Sequence, residues 1–157
     1  MGRGSELTLN FWSCPKCGRR FARQNQKHVC GQWTVEQHLA GRSPTVIALY
    51  KRFVEMVRVC GPFEYSPVRS QIGFRVQRIF AGVKLTEHAL EGYLDLPKIV
   101  KSQRFRNISP YQSNLFVHHF RVRSLNELND QFAAWVRESY TVGEGWHRAK
   151  GKTTVRP

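Results

Sequence analysis

The chain has 157 residues, 41% apolar and 23% charged, proportions that exclude a disordered or collagen-like polypeptide and fit a globular one. Lys and Arg number 25 against 11 Asp and Glu, a formal charge of +14. Polyanions are therefore the expected partners, because such a field concentrates phosphate-bearing ligands and the planar Arg fork matches their oxygens. No run of about 18 apolar residues occurs and Met1 to Asn10 lacks the apolar stretch of a secretory signal, so a cytoplasmic protein with no membrane partner is expected, nucleoid-associated if it binds DNA.

Residues 1–10 read as a flexible leader. Residues 11–31 hold three of the four cysteines and read as a small module too short to bury a core of its own, which therefore needs a staple. Cys14, Cys17, His28 and Cys30 form a C-x2-C-x10-H-x-C set, a ligand spacing that suits tetrahedral zinc. The short first pair lets the chain double back, and Gly18 permits the tight turn that frees backbone amides to bond the thiolates. With all four positions filled the site is closed, so the expected cofactor is one structural Zn2+ per chain. A thioredoxin-type CxxC opens a helix after a strand in a βα unit, and no such unit is evident around Cys14 and Cys17. Arg19, Arg20, Arg23 and Lys27 decorate the module as candidate phosphate contacts.

Residues 32–142 carry the periodic apolar pattern of one α+β domain. A short helix is predicted from Thr34, which has capping-box spacing to Gln37 and is followed by Gly41 as a stop. Ser43 caps the next helix, Pro44 suits its first position, and Val46, Tyr50, Phe53, Val57 and Cys60 form one face before Gly61 and Pro62 end it. Cys60 is then a helix core residue, not a metal ligand. Alternation predicts strands near 71–76, 78–85, 89–96 and 115–123, and a weaker one near 63–66. Ser124 and Glu127 have capping-box spacing ahead of a last helix with the stripe Leu125, Leu128, Phe132, Trp135, Val136 and Tyr140. Residues 143–157 form a basic tail. The fold class that results is an antiparallel sheet of four to five strands flanked by two helices and preceded by the small zinc-finger module. Phe53, Val57, Ile79, Val83, Leu94, Phe120, Phe132 and Trp135 are expected to share its core.

Period-two sorting gives each strand a second, outward face. Along 78–85 it holds Arg78, Phe80, Gly82 and Lys84; along 115–123 it holds His119, Arg121 and Arg123, opposite Phe116, His118, Phe120 and Val122. Arg69 and Arg75 add charge at the first hairpin. Cations interleaved with a ring are what a nucleic-acid surface needs, since the cations hold phosphates while the ring stacks on a base. The competing reading is cross-strand pairing of Arg78 or Lys84 with Glu91 and Asp95, which fall on the same face. His118 and His119 point to opposite faces and cannot serve one site. No GxSxG, HExxH, P-loop or paired-carboxylate arrangement occurs, so no enzymatic activity is expected.

The order CPKCGRRF, HVC, LYKRFVEMVRVCGPF, IGFRVQRIFAGV, LDLP, RF and AAWVRESY resembles the bacterial "domain of unknown function 5655" family, in which a CxxC module often precedes this α+β unit. A strand ending in FA, a later LP and a final helix ending in SY are similar, more distantly, to YjbR-type proteins of the frataxin-like (CyaY-like) fold, which implies a sheet with two flanking helices and a double-wing DNA-binding surface. The acidic helix edge that frataxins use for iron has no counterpart, because Glu55 lies amid Lys51, Arg52 and Arg58. The expected function is nucleic-acid binding, with DNA as partner. The alternatives are an RNA- or ribosome-associated factor, and a small-ligand binder or enzyme with a pocket between sheet and helices lined by His118.

Overall fold

The computed structural model describes residues 11–15, 20–25 and 33–146. The chain divides into two compact units, Met1–Thr34 and Val35–Pro157. In the first, β1 (Trp12–Ser13) pairs antiparallel with β2 (Arg20–Phe21), and the rings of Trp12 and Phe21 face each other across the ribbon with centroids 6.0 Å apart. The Arg20 guanidinium lies 5.5 Å from the Phe11 ring. Cys14, directly after β1, is buried.

The second unit begins with α1 (Val35–Leu39), closed by Gly41 at φ 76°. In α2 (Pro44–Cys60) the Ser43 side chain accepts a hydrogen bond from the Val46 N–H and Pro44 fills a position whose amide needs no partner. Val46, Leu49, Tyr50, Phe53, Val54 and Val57 form its buried stripe. At its end Gly61 adopts φ 147°, and the Tyr140 hydroxyl donates to the Pro62 carbonyl at 2.6 Å. A Cβ at position 61 would come within 2.6 Å of that hydroxyl, so the glycine is required by both backbone and packing.

Six strands follow: β3 (Glu64–Pro67), β4 (Ile72–Arg75), β5 (Ile79–Leu85), β6 (Leu90–Leu96), β7 (Phe105–Gln112) and β8 (Leu115–Val122). They form one antiparallel sheet in the order β3-β4-β5-β6-β8-β7. The sheet has six strands where the alternation predicts four to five, because β7 lacks that signal. It contains Pro110, a residue that argues against a strand except at an edge, and two register shifts interrupt its alternation. As an edge strand it tolerates both. The Ser124–Glu127 capping signal also misled by five residues. The Glu127 carboxylate accepts from the Arg123 and Ser124 amides, but the segment it closes is a single 3-10 turn, Leu125–Glu127, and leaves Leu125 exposed. Asn129 caps the true helix, α3 (Asp130–Gly143), accepting from the Phe132 N–H at 3.0 Å.

Both long helices pack on one sheet face. Phe53 of α2 meets Phe74 at 5.3 Å and Phe120 at 5.8 Å between centroids, and Phe132 of α3 meets Phe120 at 5.0 Å. All four rings are fully buried, each worth about 1.5–3 kcal/mol of burial. Of the expected core, Trp135 is only partly buried against the cluster and Ile79 lies outside it. The register jumps from Phe74 opposite Ala81 to Arg75 opposite Ile79, so Phe80 is the extra residue of a β-bulge and the alternation reverses there. Ile79 consequently turns outward while Phe80 turns in beneath α3.

Candidate functional site

The sheet face away from α2 and α3 carries no helix among the described residues, and its side chains form rows across the strands. The central row is Gly82, Tyr93, His119 and Asn107, successive register partners on β5, β6, β8 and β7. Tyr93 lies against Gly82, where a Cβ would come within 2.6 Å of the ring. Its ring centroid is 6.3 Å from that of His119. Beside it runs the row Lys84, Glu91 and Arg121, in which Arg121 Nε donates to Glu91 Oε2 at 2.8 Å. Lys84 and Glu91 of this row and Tyr93, His119 and Asn107 of the central one, with Gln71, Gly92 and Arg106, line a depression of about 380 Å³. Lys84 and Arg106 make no ion pair among the described residues, and the Glu91 charge is met by Arg121, so the depression keeps two uncompensated positive charges.

On the other side of the central row, Asp95 is only 4% exposed. Arg78 Nη2 donates to its Oδ2 at 3.2 Å, while Oδ1 has no hydrogen-bond partner. Burial pushes the Asp95 carboxyl up to about 6 against the opposing effects of the Arg78 charge and hydrogen bond. The Arg78 guanidinium also lies 5.7 Å from the Tyr111 ring, and an open depression of about 360 Å³ lies beside it, lined by Arg75, Gln77, Arg78, Ile79, Tyr111 and Gln112. Tyr93 is pushed up to about 12, first by burial and then by the Asp95 charge, so its phenol stays neutral at physiological pH.

The predicted contacts separate into distinct groups on this surface. Lys84 and His119 are exposed and share the first depression. Arg75 is exposed at the end of β4 beside the second, Arg69 is exposed in the β3–β4 turn, and Arg123 is exposed just beyond β8. Arg78 is held in an ion pair with Asp95, as the competing reading of the outward face expects, whereas Glu91 pairs with Arg121 and not with Lys84 or Arg78. Phe80 is a correction: it is fully buried, its ring centroid 5.5 Å from that of Tyr140 and its carbonyl bonded by Ser139 Oγ at 2.8 Å. The bulge that reverses the strand's phase removes it from any ligand.

In the first unit Arg20 and Arg23 are exposed and Cys14 is buried. Cys17, His28, Cys30, Arg19 and Lys27 lie outside the described residues, so the zinc set is represented by Cys14 alone. Among the described residues no group of three or more His, Cys, Asp or Glu could hold a metal. Cys60 sits at the end of α2 with its Sγ donating to the Met56 carbonyl at 3.3 Å, and burial raises its pKa.

His118 is fully buried with both ring nitrogens engaged. Its Nε2 accepts from the Val100 N–H at 2.9 Å, which leaves Nδ1–H to donate to the Phe116 carbonyl at 3.0 Å. Burial lowers its pKa and keeps the ring neutral. It pins the loop after β6 to β8 and has no free nitrogen for chemistry.

The model of the family described as "Domain of unknown function (DUF5655)" matches residues 35–143, which is α1 to the end of α3. The chain belongs to the DUF5655 family. The matched span covers the helix-backed sheet with both outward depressions and leaves the cysteine-bearing segment outside it. No curated protein and no solved structure matches the chain. No helix among the described residues of this DUF5655 protein is long and apolar enough to cross a membrane.

Tyr93, Gln71, Arg106, Asn107, Tyr111 and Asp95 join the surface without having been singled out as contacts. Tyr93 and Asp95 were legible in principle, since they share the outward phase of β6 with Glu91. Arg106, Asn107 and Tyr111 were not, because β7 was hidden by Pro110 and its bulges.

Proposed function

We propose that this protein binds nucleic acid through the outward face of its sheet. The observation that carries the reading is the depression of about 380 Å³ in which Lys84 and Arg106, two cations without carboxylate partners among the described residues, converge beside the Tyr93 and His119 rings. Cations supply affinity by releasing condensed counterions from phosphates, and rings add stacking that any base can satisfy. Arg75, Arg69 and Arg123 extend the positive surface, while Arg78 and Arg121 act as scaffold for Asp95 and Glu91. DNA is the partner proposed first; an RNA- or ribosome-associated role uses the same chemistry on a different target.

The N-terminal unit contributes a structural zinc site, Cys14, Cys17, His28 and Cys30, whose thiol and imidazole donors suit that ion. Arg19, Arg20, Arg23 and Lys27 supply a second set of phosphate contacts. The helix-backed sheet agrees with what the likeness to YjbR-type frataxin-like proteins implies. The binding role needs no catalytic group, and the protein is proposed to work without one.

The test is a titration of labelled duplex and single-stranded DNA and of an RNA hairpin at several salt concentrations. Log affinity should fall linearly with log salt, and Lys84→Ala with Arg106→Ala should reduce the slope by roughly two on a duplex. No measurable binding to any of the three at about 50 mM salt would end the nucleic-acid reading.

A further inference from the structure

We infer that the depression over Gly92 is a seat for one unstacked nucleotide, with the base against Tyr93 and His119 and its phosphate held by Lys84 and Arg106, so that single strands are the preferred form of the ligand. The inference rests on the nucleic-acid reading above and narrows it to a substrate class.

The first argument is size and chemistry together. A cavity of about 380 Å³ is at the lower end of the range that holds one small ligand and is far too small for a duplex. Its lining supplies what each part of a nucleotide requires. Two cations can engage the phosphate. The Asn107 amide, one N–H of which donates to Ser109 Oγ, and the Gln71 amide, which hydrogen-bonds Tyr93, keep further donor and acceptor capacity for a base edge. The Glu91 carboxylate offers only acceptors, suited to a ribose hydroxyl or an exocyclic amine.

The second argument is depth. Tyr93 is packed onto the backbone at Gly82, closely enough that a single Cβ there would collide with its ring. A ring seated so low on the sheet cannot be reached by bases still paired and stacked inside a helix, whereas the long side chains of Lys84 and Arg106 can reach phosphates of either form. Only an unstacked base can use the Tyr93 and His119 surface. Tyr93 is suited to that use because it remains a neutral phenol beside the phosphate, its pKa pushed up to about 12.

The full chain should be titrated with a labelled 12-nucleotide single strand, the same strand with its central bases replaced by abasic sites, the matching duplex and a free 5′-mononucleotide. The intact strand should bind at least tenfold more tightly than the abasic one. His119→Ala and Tyr93→Leu should weaken the intact strand by roughly 5- to 100-fold while changing duplex binding less than twofold, and Lys84→Ala should weaken both. His119 is exposed, so its variant keeps the test informative if Tyr93→Leu fails to fold. Abasic and intact strands of equal affinity, or duplex bound as tightly as single strand, overturn the seat and leave the wider reading standing. Binding of the mononucleotide, lost in His119→Ala, without binding of any strand overturns the wider reading and the preference for single strands together. No binding of any of the four overturns both.

Discussion

Asp95 is 4% exposed, and its carboxyl titrates at about 6 instead of 3.8 because burial disfavours the charged form more than Arg78 favours it. The folded state therefore holds this proton more tightly than the unfolded chain does. The stabilisation that results is fully present below about 3.8 and is lost as pH rises through about 6. A rise of roughly two pH units at about 1.4 kcal/mol each corresponds to roughly 3 kcal/mol across that window. Asp95→Asn keeps the shape of the side chain and removes its titration, so the difference between wild type and Asp95→Asn isolates the one group. Urea unfolding at pH 4, 5, 6 and 7 should show the wild type gaining stability relative to Asp95→Asn as the solution is acidified, with the change centred between pH 4 and 6. A difference that stays flat across this range, or that grows as pH rises, would refute the assignment of Asp95 as a carboxylate destabilised by burial.

Phe132→Ala should cost about 3–5 kcal/mol, because the ring is fully buried against Phe53 and Phe120 and its removal leaves a cavity; denaturant melts check this, and a loss below about 1 kcal/mol would mean that the α3 face is misassigned. Gly143→Ala should destabilise by about 1–3 kcal/mol, since the new Cβ would come 2.5 Å from the Phe80 ring, and Phe80→Leu in the same chain should recover part of the loss in thermal unfolding. Elemental analysis should find one zinc per chain, absent in Cys17→Ser and retained in Cys60→Ser; full zinc in Cys17→Ser would remove the proposed ligand set.

How legible each part was depended on whether its signal was local. Both ends of α2 were readable, because Ser43, Pro44 and Gly61 are punctuation that acts within one turn. The outward cations on β8 were readable, because no bulge interrupts Leu115–Val122 between its neighbours on β6. Phe80 was misread for the opposite reason: a bulge is fixed by how β4 and β5 fit together, and nothing in residues 78–85 announces it. The start of α3 was misplaced because Ser124 and Glu127 do close a turn, and only packing decides that Asn129 caps the longer helix. The depression combines residues from β5, β6, β7 and β8 with Gln71, so it existed in the sequence only as scattered positions until the strand order was known.

The two margins of the sheet, β3 and β7, have a consequence for how the protein behaves in a crowded solution. An open margin offers unpaired amides and carbonyls to any passing extended chain, and a second copy is the most abundant such chain. Here β3 is four residues long and ends in Pro67, and β7 carries Pro110 between residues where its register slips. Neither proline has an N–H to give, and an irregular strand cannot match a regular one over any length. Both margins therefore offer a second copy only a short or irregular ladder to extend.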